Sequence, residues 1–260
     1  MANKKFIITI VILILIILGL AGFIYYDKFY KKTEEKATLT TVDDINLDLS
    51  TLYKIGDILN RFDAAFSDSN STYFGYIYKD KLYAKDFDKK VALYGVIYND
   101  LLKNNSDNIL LGENVKRSFE NIFGNNLSYN PIDISDGKNI NVTYIAASDR
   151  YNYTINSINN IYLPKYMEKT ISTSVTTDSI IVKRKVFYVE YNTSGTETAS
   201  ANIYTDSSKS NNIGTINLRN GILFLDEVIA KYSSKVNTYI YTFKQSSDGD
   251  YYFYSIEKDR

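Results

Sequence analysis

Thirty carboxylates and thirty cationic side chains are this sequence's main chemical equipment. It has no His and no Cys. That excludes a Ser-His-Asp triad, a thiol nucleophile, a disulfide framework and any His- or Cys-ligated metal. Paired carboxylates survive the exclusion, because a glycosidase needs only two positioned Asp or Glu. Glu190, in the long strand candidate Ser179–Tyr191, and Asp226 with Glu227, opening a late helix, are the most notable acids. Ordinary roles are at hand for all three. Glu190 fits a solvated strand face, and Asp226 and Glu227 fit a helix N-terminus, where the dipole favours negative charge.

A Ser-Lys dyad also needs no His. The S-x-x-K spacing occurs at Ser135–Lys138 and Ser255–Lys258. The first copy falls in a turn. The second falls in a strand, where residues three apart point to opposite faces. Neither has S-D-N or K-T-G partners, so neither is assigned a role. Asp248-Gly249-Asp250 and Asp133 to Gly137 are too short for an EF-hand loop. No phosphate-binding glycine loop occurs. The expectation is no catalytic residue, no metal and no cofactor. Lys183-Arg184-Lys185 lies mid-strand, and alternation puts the two lysines on one face and the arginine on the other, so it is no concentrated patch and reads as a solvated face. Net charge is zero, which argues against a nucleic-acid partner.

Tyrosine is the unusual resource, with 25 copies and no Trp. Tyr239 and Tyr241 share one face of a terminal strand, and Tyr252 and Tyr254 share a face of the next. Such ladders stabilise a hairpin by cross-strand contact. Exposed, the four would form a ligand or partner surface, since Tyr is enriched at interfaces. The opposing reading makes Tyr an ordinary large core residue with its hydroxyl at the rim.

The elements that must hold these residues follow from periodicity. Residues 1–5 are a short leading segment. Residues 6–26, FIITIVILILIILGLAGFIYY, contain no charge. A helix of that length spans roughly 31 Å, close to the hydrocarbon core of a bilayer. The run is longer than the apolar region of a cleaved signal peptide, so it predicts a single-pass anchor with the lipid bilayer as partner. Lys4 and Lys5 oppose Lys28, Lys31, Lys32 and Lys36, so flanking charge does not decide orientation. The short leader before a long domain favours the domain outside the cytoplasm. Residues 27–46 read as a polar tether, and residues 47–260 as the globular part, one α+β domain or two divided near 130, where the pattern changes.

Apolar residues at three- and four-residue steps predict helices from Leu49 to Phe66, Asp86 to Lys103 and Glu113 to Phe123. Gly124 sits where a helix end wants a left-handed residue. Tyr73 to Tyr83 reads as a short hairpin. After residue 130 strands follow: a hairpin from Ile132 to Ala146, then Arg150–Ile155, Ser179–Tyr191, Ala199–Thr205 and Asn212–Leu218. A short helix at Phe224–Tyr232 precedes a last hairpin, Tyr239–Lys244 with Tyr251–Glu257. The fold class expected is α+β, with helices packed on one mainly antiparallel sheet. By analogy this suggests a cystatin-like or NTF2-like arrangement.

Two segments carry a resemblance. Val115 to Gly124 reads V-K-R-S-F-E-N-I-F-G, and the end reads Y-I-Y-T-F-K from Tyr239 and D-G-D-Y-Y-F-Y-S-I-E-K from Asp248. They resemble segments of uncharacterised membrane-anchored or secreted proteins of low-GC Gram-positive bacteria. The resemblance implies an envelope location and no chemistry. The function expected is a membrane-tethered extracytoplasmic module that binds an envelope polymer or protein. The alternatives are an envelope hydrolase with paired carboxylates and a structural subunit of a membrane complex.

Overall fold

In the computed structural model of the chain, residues 48–69, 71–103, 108–135, 137, 140–155, 165–194 and 197–259 are described. They fall in one compact unit. The segments 1–5, 6–26 and 27–46 lie outside the described residues. Among the described residues no helix is long and apolar enough to cross a membrane.

Strands dominate, with eleven against four α-helices among the described residues. Both sheets are antiparallel. The larger contains β1 (Lys81–Tyr83), β6 (Tyr166–Val175), β7 (Ser179–Ser194), β8 (Glu197–Tyr204), β9 (Asn212–Asn217), β10 (Asn237–Gln245) and β11 (Tyr251–Lys258). Its order is β1-β11-β10-β7-β8-β9, and β6 pairs with β7. The smaller, in the order β2-β5-β4-β3, contains β2 (Ile109–Leu111), β3 (Ile134–Ser135), β4 (Ile140–Ile145) and β5 (Arg150–Ile155).

This corrects the expected fold class. The fold is mostly β-sheet with few helices, and two sheets stand where helices packed on one mainly antiparallel sheet were expected. The second sheet is the meander β3-β4-β5, which pairs with no strand of the larger sheet, and β2 joins its β5 edge by a long-range contact that local periodicity does not report. The cystatin/NTF2 analogy falls with it. The segment 73–83 is also corrected. It is a run of turns ending in β1, which pairs with β11 rather than with its own neighbour.

Helix α1 (Leu49–Phe66) starts where the Asp48 side chain accepts from the Ser50 amide, satisfying a free helix N–H. Its stripe Ile55, Ile58, Leu59, Phe62 and Phe66 is buried. Helices α2 (Lys89–Lys103) and α3 (Gly112–Phe123) join it. One core unites these three helices with the small sheet, through Ile140, Val142, Tyr151 and Tyr153, and with one face of the large sheet. At its centre Phe62, Phe87, Phe123 and Phe253 meet with centroids 5.0–6.3 Å apart, Phe62 and Phe87 stacked and the other pairs edge to face or tilted, arrangements that ring quadrupoles favour.

β7 serves two cores. Its even residues, among them Ile180, Val182, Val186 and Tyr188, face the main core. Phe187 and Val189 face the other way, into a second core with β8, β9 and helix α4 (Leu225–Tyr232). Strand alternation divides the chain between the two faces.

Candidate functional site

The polar centre of the main core is built on Arg184. Its strand neighbours are Val182 and Val186 on the same face, and alternation sends its side chain inward beneath α1. It is 7% exposed. Asp63, next to the buried stripe of α1, meets it in a two-bonded fork: Nη1 to Oδ1 at 2.6 Å and Nη2 to Oδ2 at 2.7 Å. Glu168 on β6 is the third charge. Glu168 pairs with Val186 and Thr170 with Arg184, so Glu168 is Arg184's diagonal neighbour on one face. Arg184 Nη1 lies 2.7 Å from Glu168 Oε2. The Tyr241 hydroxyl of β10 donates to the same oxygen at 2.8 Å. The Tyr78 hydroxyl, from the turn before β1, donates to Oε1. The Tyr241 ring lies 5.5 Å from the guanidinium carbon.

One cation thus faces two carboxylates, Glu168 sealed from water and Asp63 with 30% of its side chain exposed. Burial pushes the Glu168 carboxyl up, Arg184 pulls it down, and Asp63 pushes it up again, leaving it at about 8. Burial also works against the Arg184 charge, but the attraction of Glu168 and Asp63 overrides it and holds the guanidinium above its ordinary value. The Tyr78 and Tyr241 hydroxyls are pushed well up, first by burial and then by the Glu168 charge.

A carboxyl that keeps its proton at neutral pH is what a general acid requires. Geometry withholds the role here. Glu168 is 2% exposed, and both of its oxygens carry donors. Both Asp63 oxygens are held by Arg184. The cluster ties α1, β6, β7, β10 and the turn at Tyr78 to one another. It is a clamp, not a reaction centre.

The open polar surface lies elsewhere. A cleft of about 450 Å³ is lined by Ser50, Lys54, Asp57, Arg61, Asn121 and Asp250, among others. Lys54 Nζ is 2.8 Å from Asp250. Arg61 bonds Asp57 at 2.7 Å, Asp100 at 3.0 Å and the Val96 carbonyl at 2.6 Å. Burial works against its charge, and the bonds to Asp100 and Asp57 override that and raise it. A second cleft, about 570 Å³, is lined by Lys116, Glu120, Asn125, Ser128, Tyr129 and Tyr252, with Gly124 and Leu127. The two adjoin where Lys54 Nζ stands 4.2 Å from the centre of the Tyr252 ring.

Gly124 builds that junction. Its φ is +50°, and a Cβ there would come within 2.6 Å of the Tyr252 ring. Only glycine lets the end of α3 lie flat on the tyrosine. The Tyr252 hydroxyl donates to Asp248 at 2.8 Å. Burial, then that carboxylate, pushes it up to about 12.

The four-tyrosine surface is corrected on these grounds. Tyr239 and Tyr241 lie in the main core, 5% and 0% exposed. They face inward with Phe243 and Phe253, which pair directly. Tyr252 and Tyr254 are half-buried on the opposite face. Thr242 pairs with Ser255 and Phe243 with Phe253, so Tyr254 is the extra residue of a β-bulge. It contacts Tyr83 at 5.7 Å and Lys244 at 4.0 Å. The structure brings no two pairs together into one exposed ladder.

The acids noted in the sequence are separated as well. Glu190 is held below its ordinary value, chiefly by Lys209 and then by Tyr204. Asp226 pairs with Lys169, and Glu227 with Arg219. Ser135 bonds Asn141, and Ser255 is buried in β11. Among the described residues no group of three or more Asp or Glu is placed to hold a metal.

Reasoning from sequence missed Arg184, Asp63 and Glu168. One signal was present: an arginine at a core-facing position of a segment that runs Ile180-Ile181-Val182 and Val186-Phe187 needs a buried counter-ion.

No known family, curated protein or solved structure matches this chain.

Proposed function

We propose that this chain is a binding module of the cell envelope, tethered to the bilayer through residues 6–26 and working outside the cytoplasm on an envelope polymer or protein. The observation that carries the reading is how the polar groups are divided. The carboxyl suited to acid catalysis is sealed and fully bonded in the clamp, while the polar groups that solvent reaches line two open clefts. Surface clefts with fixed polar groups recognise; they do not by themselves supply a reacting acid and base. The hydrolase alternative loses its best carboxylate pair to Arg184.

A structural subunit of a membrane complex is the second reading, favoured by a separate observation. Leu49, Leu52 and Tyr53 share a face at the start of α1 and are 67%, 41% and 77% exposed. This is an apolar strip of the kind a partner helix covers.

The test has two parts. Protease is added to intact cells carrying the chain with a C-terminal tag, and the tag is expected to disappear while a cytoplasmic control survives. The full chain is then sedimented with washed, insoluble envelope material. The reading predicts that it pellets with that material and releases no soluble fragments from it. A protected tag, or release of fragments, contradicts it.

A further inference from the structure

The two clefts flanking α3 are lined by equal numbers of acidic and basic side chains. In the first, Lys54 and Arg61 are matched by Asp57 and Asp250, with ion-pair distances of 2.8 Å and 2.7 Å. In the second, Lys116 and Glu120 sit one helical turn apart at 3.8 Å. A polyanion would meet an acid for every base and gain no net attraction, and a cationic chain fares the same way.

What the walls do offer is hydrogen bonding. Asn121, Asn125, Ser118 and Ser128 present amides and hydroxyls that can donate and accept. Tyr129 adds ring surface to the second cleft, and Tyr252, whose faces are taken by Gly124 and Lys54, lines it with what that cover leaves of its ring. The walls are also held in place. Tyr252 is fixed by Gly124 beneath it, Lys54 over it and Asp248 at its hydroxyl. Tyr129 is fixed by the Tyr151 hydroxyl at 2.7 Å and by the Phe119 ring. A rigid wall loses little conformational freedom on binding. Each cleft is within the size range of small-ligand sites.

We infer that this double cleft binds an uncharged glycan chain, laid along α3 and across the Tyr252 junction. Sugars bring many hydroxyls and a weakly apolar ring face, and carry no charge, which is the complement of these walls. This rests on the binding-module reading above and adds the ligand class and its place.

The experiment uses the full chain in a detergent without a sugar headgroup, since glucosides would compete. Chitohexaose and cellohexaose are titrated by amide NMR, with polyphosphate as the polyanion comparison. The expected result is shifts at α3 and residues 250–254 with at least one sugar, unchanged between low and high salt. Tyr252→Ala should weaken binding about tenfold, because it removes the wall at the junction and releases Lys54 and Asp248 that pack on it. Asn121→Ala and Asn125→Ala, exposed positions that leave the fold intact, should each weaken it severalfold. Phe224→Ala, on a different exposed surface, should not. Salt-sensitive binding of polyphosphate in the clefts overturns the inference. So do sugar shifts elsewhere, or binding that survives all three cleft variants. If the chain still pellets with envelope material while no sugar binds, the inference fails and the binding-module reading stands. If neither occurs, both fail.

Discussion

Glu168 should make this protein less stable as pH rises through neutrality, the reverse of what a salt-bridged carboxylate normally does. In the folded chain, burial first and Asp63 second hold its proton up to about 8. In the unfolded chain it titrates near the ordinary 4.5. Below 4.5 both states are protonated and the full contribution is present. Between 4.5 and 8 only the unfolded state releases the proton, so each pH unit destabilises the fold by about 1.4 kcal/mol. Across the window the loss reaches about 5 kcal/mol, a large share of a typical domain's stability. No His or Cys side chain titrates in this window to mask the effect. The surface carboxylates held low, such as Asp178 and Asp206, act below pH 4. The assay is urea unfolding of the full chain, followed by tyrosine fluorescence, at half-unit steps from pH 4.5 to 8.5. Glu168→Gln keeps the neutral shape of the side chain and removes the titration, so its stability should be flat where the parent's falls. A misplaced amide donor lowers the whole curve without changing its slope. A parent whose stability is level or rises over this window, or a variant with the same slope, would refute the reasoning.

Three further outcomes follow from the packing. Arg184→Met leaves two acids facing each other in the core and should cost about 3–5 kcal/mol at pH 7, read from the urea midpoint. Gly124→Ala must place a Cβ against the Tyr252 ring at a positive φ. It should lose about 1–3 kcal/mol and shift the Tyr252 NMR signals, whereas Gly249→Ala, where φ is also positive but no atom lies within 4 Å, should lose less. Tyr241→Leu should lower stability by about 2–4 kcal/mol and Tyr254→Leu by under about 1 kcal/mol. Comparable losses at both positions would contradict the assignment of one to the core and the other to a surface bulge.

The legible parts of the fold were those written in local period. The stripe of α1, the Gly124 stop, β4, β5 and the last hairpin all lie close to where spacing and turn residues put them. The alternation at Lys183-Arg184-Lys185 also told which side chain differed from its neighbours, although not that it was buried. β6 was invisible. Tyr166 to Val175 reads YMEKTISTSV, with neither alternation nor an apolar run, and it becomes a strand because β7 offers an edge to pair with. Glu168 was lost with it. The tyrosine ladder failed for a related reason. Periodicity says which side chains share a face but not which face is covered, and that was decided by helices more than 100 residues earlier in the chain. The clefts were illegible throughout, since they depend on α1, α3 and the β10–β11 turn meeting.

The invisibility of β6 bears on what the clamp is for. A Ser/Thr-rich strand has little to gain from one register over the next, because its two faces are nearly alike. A one-residue slip against β7 would turn Glu168 to the opposite face, and Arg184 would keep only Asp63. The clamp therefore penalises that slip by the loss of the Glu168 contacts with Arg184, Tyr241 and Tyr78, where Ser172, Thr173 and Ser174 impose almost no penalty. The bulge at Ile171, between the pairs Thr170–Arg184 and Ser172–Lys183, falls immediately beyond the clamp, so the register changes only after the charged pair has set it. On this argument Arg184→Met does two separable things: it destabilises the fold, and it frees β6. Stabilising co-solvent would restore the first and not the second. Amide signals of Tyr166 to Val175 that stay doubled or broadened in the refolded variant would mark the clamp as the register device. A single sharp set would show that β6 is positioned by its other contacts.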